Sequence, residues 1–136
     1  MARILGIDYG GKRTGLSVTD PLQIIVSALD TVATENLHDY LKKYLAQEEV
    51  EKIVFGKPTH SDGTETALMK KINEFVKKLR IEFPLLSIDF IDESFTSVMA
   101  KEIIFQSGVK KSKRRDKSLV DRVSAVIILQ KYLGHI

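Results

Sequence analysis

Hydrophobic positions along the chain divide it into short apolar runs and longer amphipathic stretches. The apolar runs predict five strands, over residues 3–9, 14–19, 24–32, 51–56 and 86–91. Helical spacing predicts four helices. The first covers residues 36–47, and the second begins at a capping box formed by Asp62 and Glu65 and ends at about residue 82. The third covers residues 96–106, with Gly108 in the usual C-terminal position, and the fourth covers residues 118–133. Because hairpins join antiparallel strands and helices join parallel ones, this order predicts an α/β fold. Its mixed five-stranded sheet combines a three-strand antiparallel meander with two parallel strands, flanked by helices.

The first predicted strand ends in an acidic residue followed by glycines. Ile4, Leu5 and Ile7 form the apolar run, and Asp8 follows directly. A carboxylate at the end of a strand covered on both faces is costly unless its charge is compensated. The following glycines leave no side chains over the strand end, so a phosphate or a metal could approach closely. Asp8 is therefore a candidate metal ligand, and the alternative is an Asp that caps its own glycine turn.

Further acidic residues occur where two later elements would meet the first strand. Asp92 and Glu93 follow the fifth strand at its carboxyl end, where open α/β sheets place ligand sites. Strand alternation alone does not decide which of these two faces the site. Asp121 lies in the first turn of the last helix, in line with Ala125 on its apolar face. It should point inward, although its spacing from Ser118 also fits a capping box.

Three carboxylates at one sheet edge require cations. Like charges repel and raise each other's pKa, whereas hard divalent ions such as Mg²⁺ stabilise clustered oxygen ligands. Two ions held in this way can activate water and stabilise the leaving oxygen of a phosphodiester. If the three acidic residues meet, they would suit metal-dependent phosphodiester hydrolysis.

Basic charge is concentrated in one short segment. Residues 110–117 hold six cations against a single acid, Asp116; the cations are Lys110, Lys111, Lys113, Arg114, Arg115 and Lys117. The segment carries +5, which leaves −2 for the rest of a chain whose total is +3. Such local basicity is typical of a phosphate-contacting patch, and the alternative is a solvated loop without a partner. Cysteine is absent, which fits a reducing cytoplasm. No run of 18 apolar residues predicts a transmembrane helix, and we expect no membrane partner.

Glycine spacing also suggests two kinds of nucleotide site. Gly6, Gly11 and Lys12 match the start of a P-loop, but Arg13 replaces the required Ser or Thr, and a strand follows instead of a helix. Actin-like and sugar-kinase ATPases open with a similar strand, Asp, glycines and hairpin. Those proteins pair two such domains, whereas residues 1–136 have room for one, so we expect a single domain.

Five motifs in order resemble the YqgF family of pre-16S rRNA nucleases, also described as Holliday junction resolvase-like proteins. They are Gly6-Ile7-Asp8-Tyr9-Gly10; Arg13 with Gly15 and Asp20; Gly56-Lys57-Pro58; Asp92-Glu93-x-x-Thr96-Ser97; and Asp121-x-x-Ser-Ala-x-Ile-Ile-Leu-Gln. The match extends from residue 3 to about residue 133. The resemblance implies an RNase H-like fold related to RuvC-type resolvases, with an acidic triad of Asp8, Glu93 and Asp121. It therefore selects Glu93 over Asp92. One departure is Ser94, where many members carry Arg, and this puts substrate affinity in question but not the triad.

The expected protein is a metal-dependent nuclease acting on structured RNA. The resemblance implies that it processes the 5′ end of pre-16S rRNA in ribosome biogenesis, with Mg²⁺ or Mn²⁺ held by the triad. Arg13, Lys57 and the basic segment would hold the nucleic-acid backbone. Alternatives are a Holliday junction resolvase acting on branched DNA and a non-catalytic nucleic-acid-binding factor on the same fold. The sequence leaves the choice between RNA and DNA, the cleavage position and the oligomeric state open.

Overall fold

The fold is known from a computed structural model that describes residues 2–58, 66–92, 96–106 and 117–136. The strands are β1 (Arg3–Asp8), β2 (Arg13–Thr19), β3 (Val26–Ala33), β4 (Val50–Lys57) and β5 (Ser87–Asp92). The helices are α1 (Leu37–Gln47), α2 (Ala67–Glu82), α3 (Thr96–Gln106) and α4 (Lys117–Tyr132), with a 3₁₀ turn over Thr34–Asn36 before α1. No helix in these ranges is long and apolar enough to cross a membrane.

The strands form one sheet in the order β3-β2-β1-β4-β5. β1 pairs antiparallel with β2, and β2 pairs antiparallel with β3. β4 is parallel to both β1 and β5. The predicted meander followed by two parallel strands is therefore confirmed. β1 occupies the centre, so its last residue, Asp8, lies in the middle of one edge of the sheet.

Helices cover both faces of the sheet. On one face α1 and α2 pack on a core that includes Leu5, Ile7, Leu16, Phe55, Leu37, Leu41, Ile72 and Leu79. On the other face α4 packs on the sheet through a smaller cluster of Ile4, Val54, Ile128 and Leu129. α3 packs on α4. Each strand residue can thus be assigned to the α1/α2 face or to the α4 face by alternation.

α4 approaches β1 and β2 closely because small residues face it. A Cβ added to Gly6 would lie 2.6 Å from Cγ of Leu129, which is closer than real Cβ contacts. The buried Ser17 hydroxyl donates a hydrogen bond of 2.6 Å to the backbone carbonyl of Ala125. The helix backbone is therefore fixed directly on the strands that carry Asp8 and Arg13.

β3 begins at Val26, so the predicted start of the third strand at residue 24 is wrong. The Asp20 carboxylate accepts hydrogen bonds of 2.7 Å from the backbone N–H groups of both Ile24 and Ile25. These N–H groups are bound within the turn and are not available to a strand ladder. The two isoleucine side chains are 61% and 65% exposed.

α2 begins at Ala67 rather than at the predicted capping box. Its N-cap is Thr66, whose hydroxyl oxygen accepts a hydrogen bond of 3.0 Å from the N–H of Met69. Because a Thr side chain satisfies this N–H, the helix does not need the predicted Asp62 cap. Asp62, Glu65 and the predicted C-terminal Gly108 lie outside the described residues.

Candidate active site

Asp8 lies on the α4 face of the sheet. Along β1, Leu5 and Ile7 belong to the core beneath α1 and α2, whereas Ile4 and Gly6 face α4. Alternation continues this pattern to Asp8, whose side chain shares the face of Ile4 and Gly6. Asp8 is half-buried at the end of the central strand.

Gly15 brings Asp8 and α4 together. It is paired directly with Asp8 in the β1–β2 ladder. A Cβ on Gly15 would overlap the backbone carbonyl of Asp121, so only glycine permits this approach. Directly paired residues in antiparallel strands have Cα atoms about 4.5–5.5 Å apart. Asp8 and Asp121, from opposite ends of the chain, therefore flank the same glycine on the same face.

Arg13 forms an ion pair with Asp121. Its Nε donates a hydrogen bond of 2.8 Å to Oδ2 of Asp121, and the two side chains are 41% and 20% exposed. Arg13 shares the α4 face with Gly15 and Ser17, because residues two apart in a strand point to the same side and these three are spaced in this way along β2. The Asp121 carboxylate thus reaches from the helix back to the sheet, which contradicts the alternative that it serves only as a helix cap.

Two threonines hold the glycine turn between β1 and β2. The Thr34 hydroxyl donates to the carbonyl of Gly10 at 2.6 Å, and the Thr34 N–H donates to the carbonyl of Lys12 at 2.9 Å. The buried Thr14 hydroxyl lies 2.9 Å from that of Thr34 and donates to it, since the Thr34 proton is already used. The turn therefore holds its shape between Asp8 and Arg13. In the sequence these two residues are marked only as polar side chains beside apolar strands, so no pattern identified them as functional.

The described basic candidates divide between the two faces. Lys57 ends β4 at the same edge as Asp8. However, it lies two residues after Phe55, so its side chain shares the α1/α2 face with Phe55. Lys117 is exposed at the first residue of α4. The structure brings Arg13 to Asp121, whereas it places Lys57 on the opposite face of the sheet.

The remaining candidates lie outside the described residues: Glu93, Lys110, Lys111, Lys113, Arg114 and Arg115.

Along β5, Ile91 packs in the cluster beneath α4, and Phe90 packs on the opposite core. Asp92 follows Ile91 and is two residues after Phe90, so it lies on the α1/α2 face, opposite to Asp8 and Asp121. Across the described ranges, no three acidic or histidine side chains form a group that could hold a metal ion. These ranges contain two of the three predicted ligands.

A family profile described as "RuvX: Holliday junction resolvase" matches residues 2–135. The chain belongs to the RuvX family. Curated RuvX relatives from Porphyromonas gingivalis and Phocaeicola vulgatus carry the name "Putative pre-16S rRNA nuclease". The first is 53% identical over 135 residues, covering 99% of this chain and 98% of the relative. The second is 49% identical over 133 residues, covering 98% and 96%. The family thus places the chain among the nucleases, which are phosphodiester hydrolases.

A solved structure supports the fold of this RuvX family member. The structure, "T. thermophilus RuvC in complex with Holliday junction substrate", superposes with a TM-score of 0.60 and covers 98% of this chain and 97% of RuvC. The two sequences are 17% identical, so the likeness concerns the fold. The predicted RNase H-like architecture is confirmed.

Proposed function

We propose that residues 1–136 act as a single metal-dependent nuclease domain that processes the 5′ end of pre-16S rRNA in the cytoplasm. One observation carries the proposal: Asp8 and Asp121 flank Gly15 on one face of the sheet, at the centre of its edge. The name of the curated relatives supports the precursor rRNA as substrate. Nucleic acid binding would extend from this edge over the basic segment that ends at Lys117.

The residues at this edge fit a divalent metal. Asp8 and Asp121 offer carboxylate oxygens, the ligands that Mg²⁺ and Mn²⁺ prefer. Arg13 already places a positive charge 2.8 Å from the Asp121 carboxylate, which shows that a cation is favoured there. We assign the third ligand to Glu93, because alternation along β5 turns Asp92 toward the other face.

Each side chain of the site would have its own role in cleavage. A bound divalent ion supplies an activated water and stabilises charge on the leaving oxygen. Asp8 and Asp121 would hold the ion from β1 and α4, which are fixed relative to each other because the Asp121 backbone contacts Gly15, the β2 partner of Asp8. The partly exposed Arg13 guanidinium can donate to a phosphate oxygen of the substrate. Thr34 keeps Asp8 and Arg13 on one side by fixing the turn between them.

Replacing Asp8 by Asn tests this proposal. The variant should lose cleavage of a 5′-extended 16S rRNA precursor in Mg²⁺ or Mn²⁺, because a neutral amide is a poor ligand for these ions. Its stability should hold or rise, since repulsion between neighbouring carboxylates is relieved. Asp92→Asn is the matched control, because it makes the same change at the same edge on the other face. Cleavage at the wild-type rate by Asp8→Asn would contradict the catalytic assignment.

Junction resolution is the second candidate, and the description of the family profile favours it. A four-way DNA junction should therefore be assayed beside the rRNA precursor, with the same metals and the same two variants. Preferential, Asp8-dependent cleavage of the junction would select resolution over rRNA processing. Binding of both substrates without cleavage of either would indicate a non-catalytic nucleic-acid-binding factor.

A further inference from the structure

A groove lies between α2 and the edge strand β5, on the face of the sheet opposite to Asp8 and Asp121. Its volume is about 450 Å³, and it is lined by Asn73, Val76, Lys77, Arg80, Ile81 and Phe90. Among the described strands β5 pairs with β4 alone, so the groove follows the outer strand of the described sheet. No residue of the groove belongs to the proposed catalytic site.

Positive charge follows the groove along α2. Lys77 and Arg80 line it directly, and Lys70 lies seven residues before Lys77 on the same stripe of the helix. All three side chains are exposed. Within the part of the chain that the structure describes, none of them forms an ion pair with a carboxylate. Their charges are thus available to an anionic partner.

Phe90 adds an aromatic surface between these cations and the core. Its ring is half-buried, with its centroid 6.0 Å from that of Phe55 in the core. The same ring lines the groove beside Lys77 and Arg80. Aromatic side chains beside unpaired cations are typical of surfaces that bind single strands, because bases stack on the ring while phosphates contact the cations. A duplex keeps its bases stacked on each other and would not use Phe90.

We propose that this groove binds single-stranded nucleic acid, as the contact for an unpaired tail of the substrate. The inference rests on the proposed function, because the paired part of the same substrate would occupy the Asp8 edge. Residues 70–80 of α2 span about 15 Å, which is room for a short run of nucleotides. Lys57 lies on the groove's face at the edge where the two surfaces meet, since its partner in β5 is Asp92, two residues after Phe90. Lys57 thus offers the bound nucleic-acid strand a basic contact between the catalytic edge and the groove.

The test compares two RNA hairpins, one with a 5′ single-stranded tail and one blunt, by fluorescence anisotropy in EDTA, so that cleavage is prevented. Lys77→Ala/Arg80→Ala should weaken binding of the tailed hairpin and leave the blunt hairpin unchanged. If both cations contact phosphates, the slope of log affinity against log salt should fall by about 1.4, at about 0.7 per single-strand contact. Phe90→Leu should weaken tailed binding by about 5- to 140-fold without changing that slope, because stacking carries no charge.

Lys71→Ala/Lys78→Ala is the matched control. It removes the same charge from the same helix, but neither residue lines the groove. The control should retain the preference for the tailed hairpin. Circular dichroism should be used to check that Phe90→Leu keeps the fold, since its ring packs on Phe55. Lys77→Ala/Arg80→Ala changes only exposed side chains and so tests the groove independently of that variant.

Two results would overturn the groove assignment. In one, the groove variant and the Lys71/Lys78 control weaken both hairpins alike, which would indicate nonspecific loss of charge. In the other, the groove variants bind the tailed hairpin as the wild type does, which would leave the groove to a protein partner. Cleavage is scored separately: a preference for the tail without metal-dependent cleavage retains the groove and refutes the proposed function. Cleavage without any effect of the groove variants retains the function and refutes the groove.

Discussion

Arg13 and Asp121, separated by 108 residues in sequence, are joined by a hydrogen bond of 2.8 Å from Nε of the arginine to Oδ2 of the aspartate. The pair connects the glycine turn after β1 to the start of α4. It also holds a positive charge at the carboxylate that we assign to metal binding. Arg13 and a divalent ion would therefore compete for Asp121, and releasing the guanidinium would free it for phosphate.

Replacing Arg13 by Gln should strengthen metal binding. Removing a partly exposed ion pair worth about 0.7 kcal/mol should raise the affinity for Mn²⁺ about threefold, measured by isothermal titration calorimetry. Lys12→Gln is the control, because it removes one charge from the adjacent exposed turn without contact to a described carboxylate. Equal Mn²⁺ affinity in the wild type and Arg13→Gln would show that the pair does not compete with metal.

Gly15→Ala should loosen α4 from the sheet. The new methyl group would overlap the backbone carbonyl of Asp121, and a backbone atom cannot move aside as a flexible side chain can. We expect a loss of about 1–3 kcal/mol in the free energy of unfolding, measured with urea. Gly11→Ala is the control, since among the described residues no atom other than those of Gly11 and its two chain neighbours lies within 4 Å of the added Cβ. Equal stability of the two variants would refute the close contact.

The basic segment should contribute affinity without sequence preference. Residues 110–116 lie outside the described residues, so this prediction rests on the sequence. Changing Lys113, Arg114 and Arg115 to Ala should lower the salt slope of duplex binding by about 2–3 units, at about 0.9 per phosphate contact. Turnover at saturating substrate should change little. A salt slope equal to that of the wild type would show that the segment does not contact phosphates.

Tyr132→Phe should reduce stability more at neutral pH than in acid. The Tyr132 hydroxyl donates a hydrogen bond of 2.8 Å to Asp89, and this bond lowers the pKa of the Asp89 carboxyl. Stability from this bond is therefore present above the unfolded pKa of about 3.9, and it is lost as the pH falls through the lower folded pKa. The hydroxyl also accepts a hydrogen bond of 2.7 Å from Lys52, whose pKa it raises, and that bond persists in acid.

The expected loss for Tyr132→Phe at neutral pH is about 1 kcal/mol or less, because the pair lies near the surface. Urea unfolding at neutral pH and at a pH below the folded pKa of Asp89 measures the change. Tyr44→Phe is the control, since the Tyr44 hydroxyl makes no hydrogen bond with the described residues. An identical loss at both pH values would show that Tyr132 does not stabilise the ionised form of Asp89.

The sequence by itself determined the order of elements and the type of sheet. Short apolar runs marked the strands, and the helical stripe of Ile72, Val76 and Leu79 marked α2. Hairpin and crossover connections then predicted a mixed sheet of a three-strand meander and two parallel strands, which the structure confirms. The prediction was less accurate at boundaries, where side chains such as Asp20 and Thr66 bind backbone N–H groups and decide where an element begins.

Only the tertiary structure decided which candidate residues meet. Strand alternation predicts that the side chains of Asp8 and Ile7 lie on opposite faces of the sheet, but it does not predict which face α4 covers. That choice depends on the absence of a side chain at Gly15, which admits the backbone of Asp121 beside Asp8. The Arg13–Asp121 ion pair and the placement of Lys57 on the other face follow from the same packing. Contacts between distant segments are set by how the layers fit together, and local sequence patterns do not specify that fit.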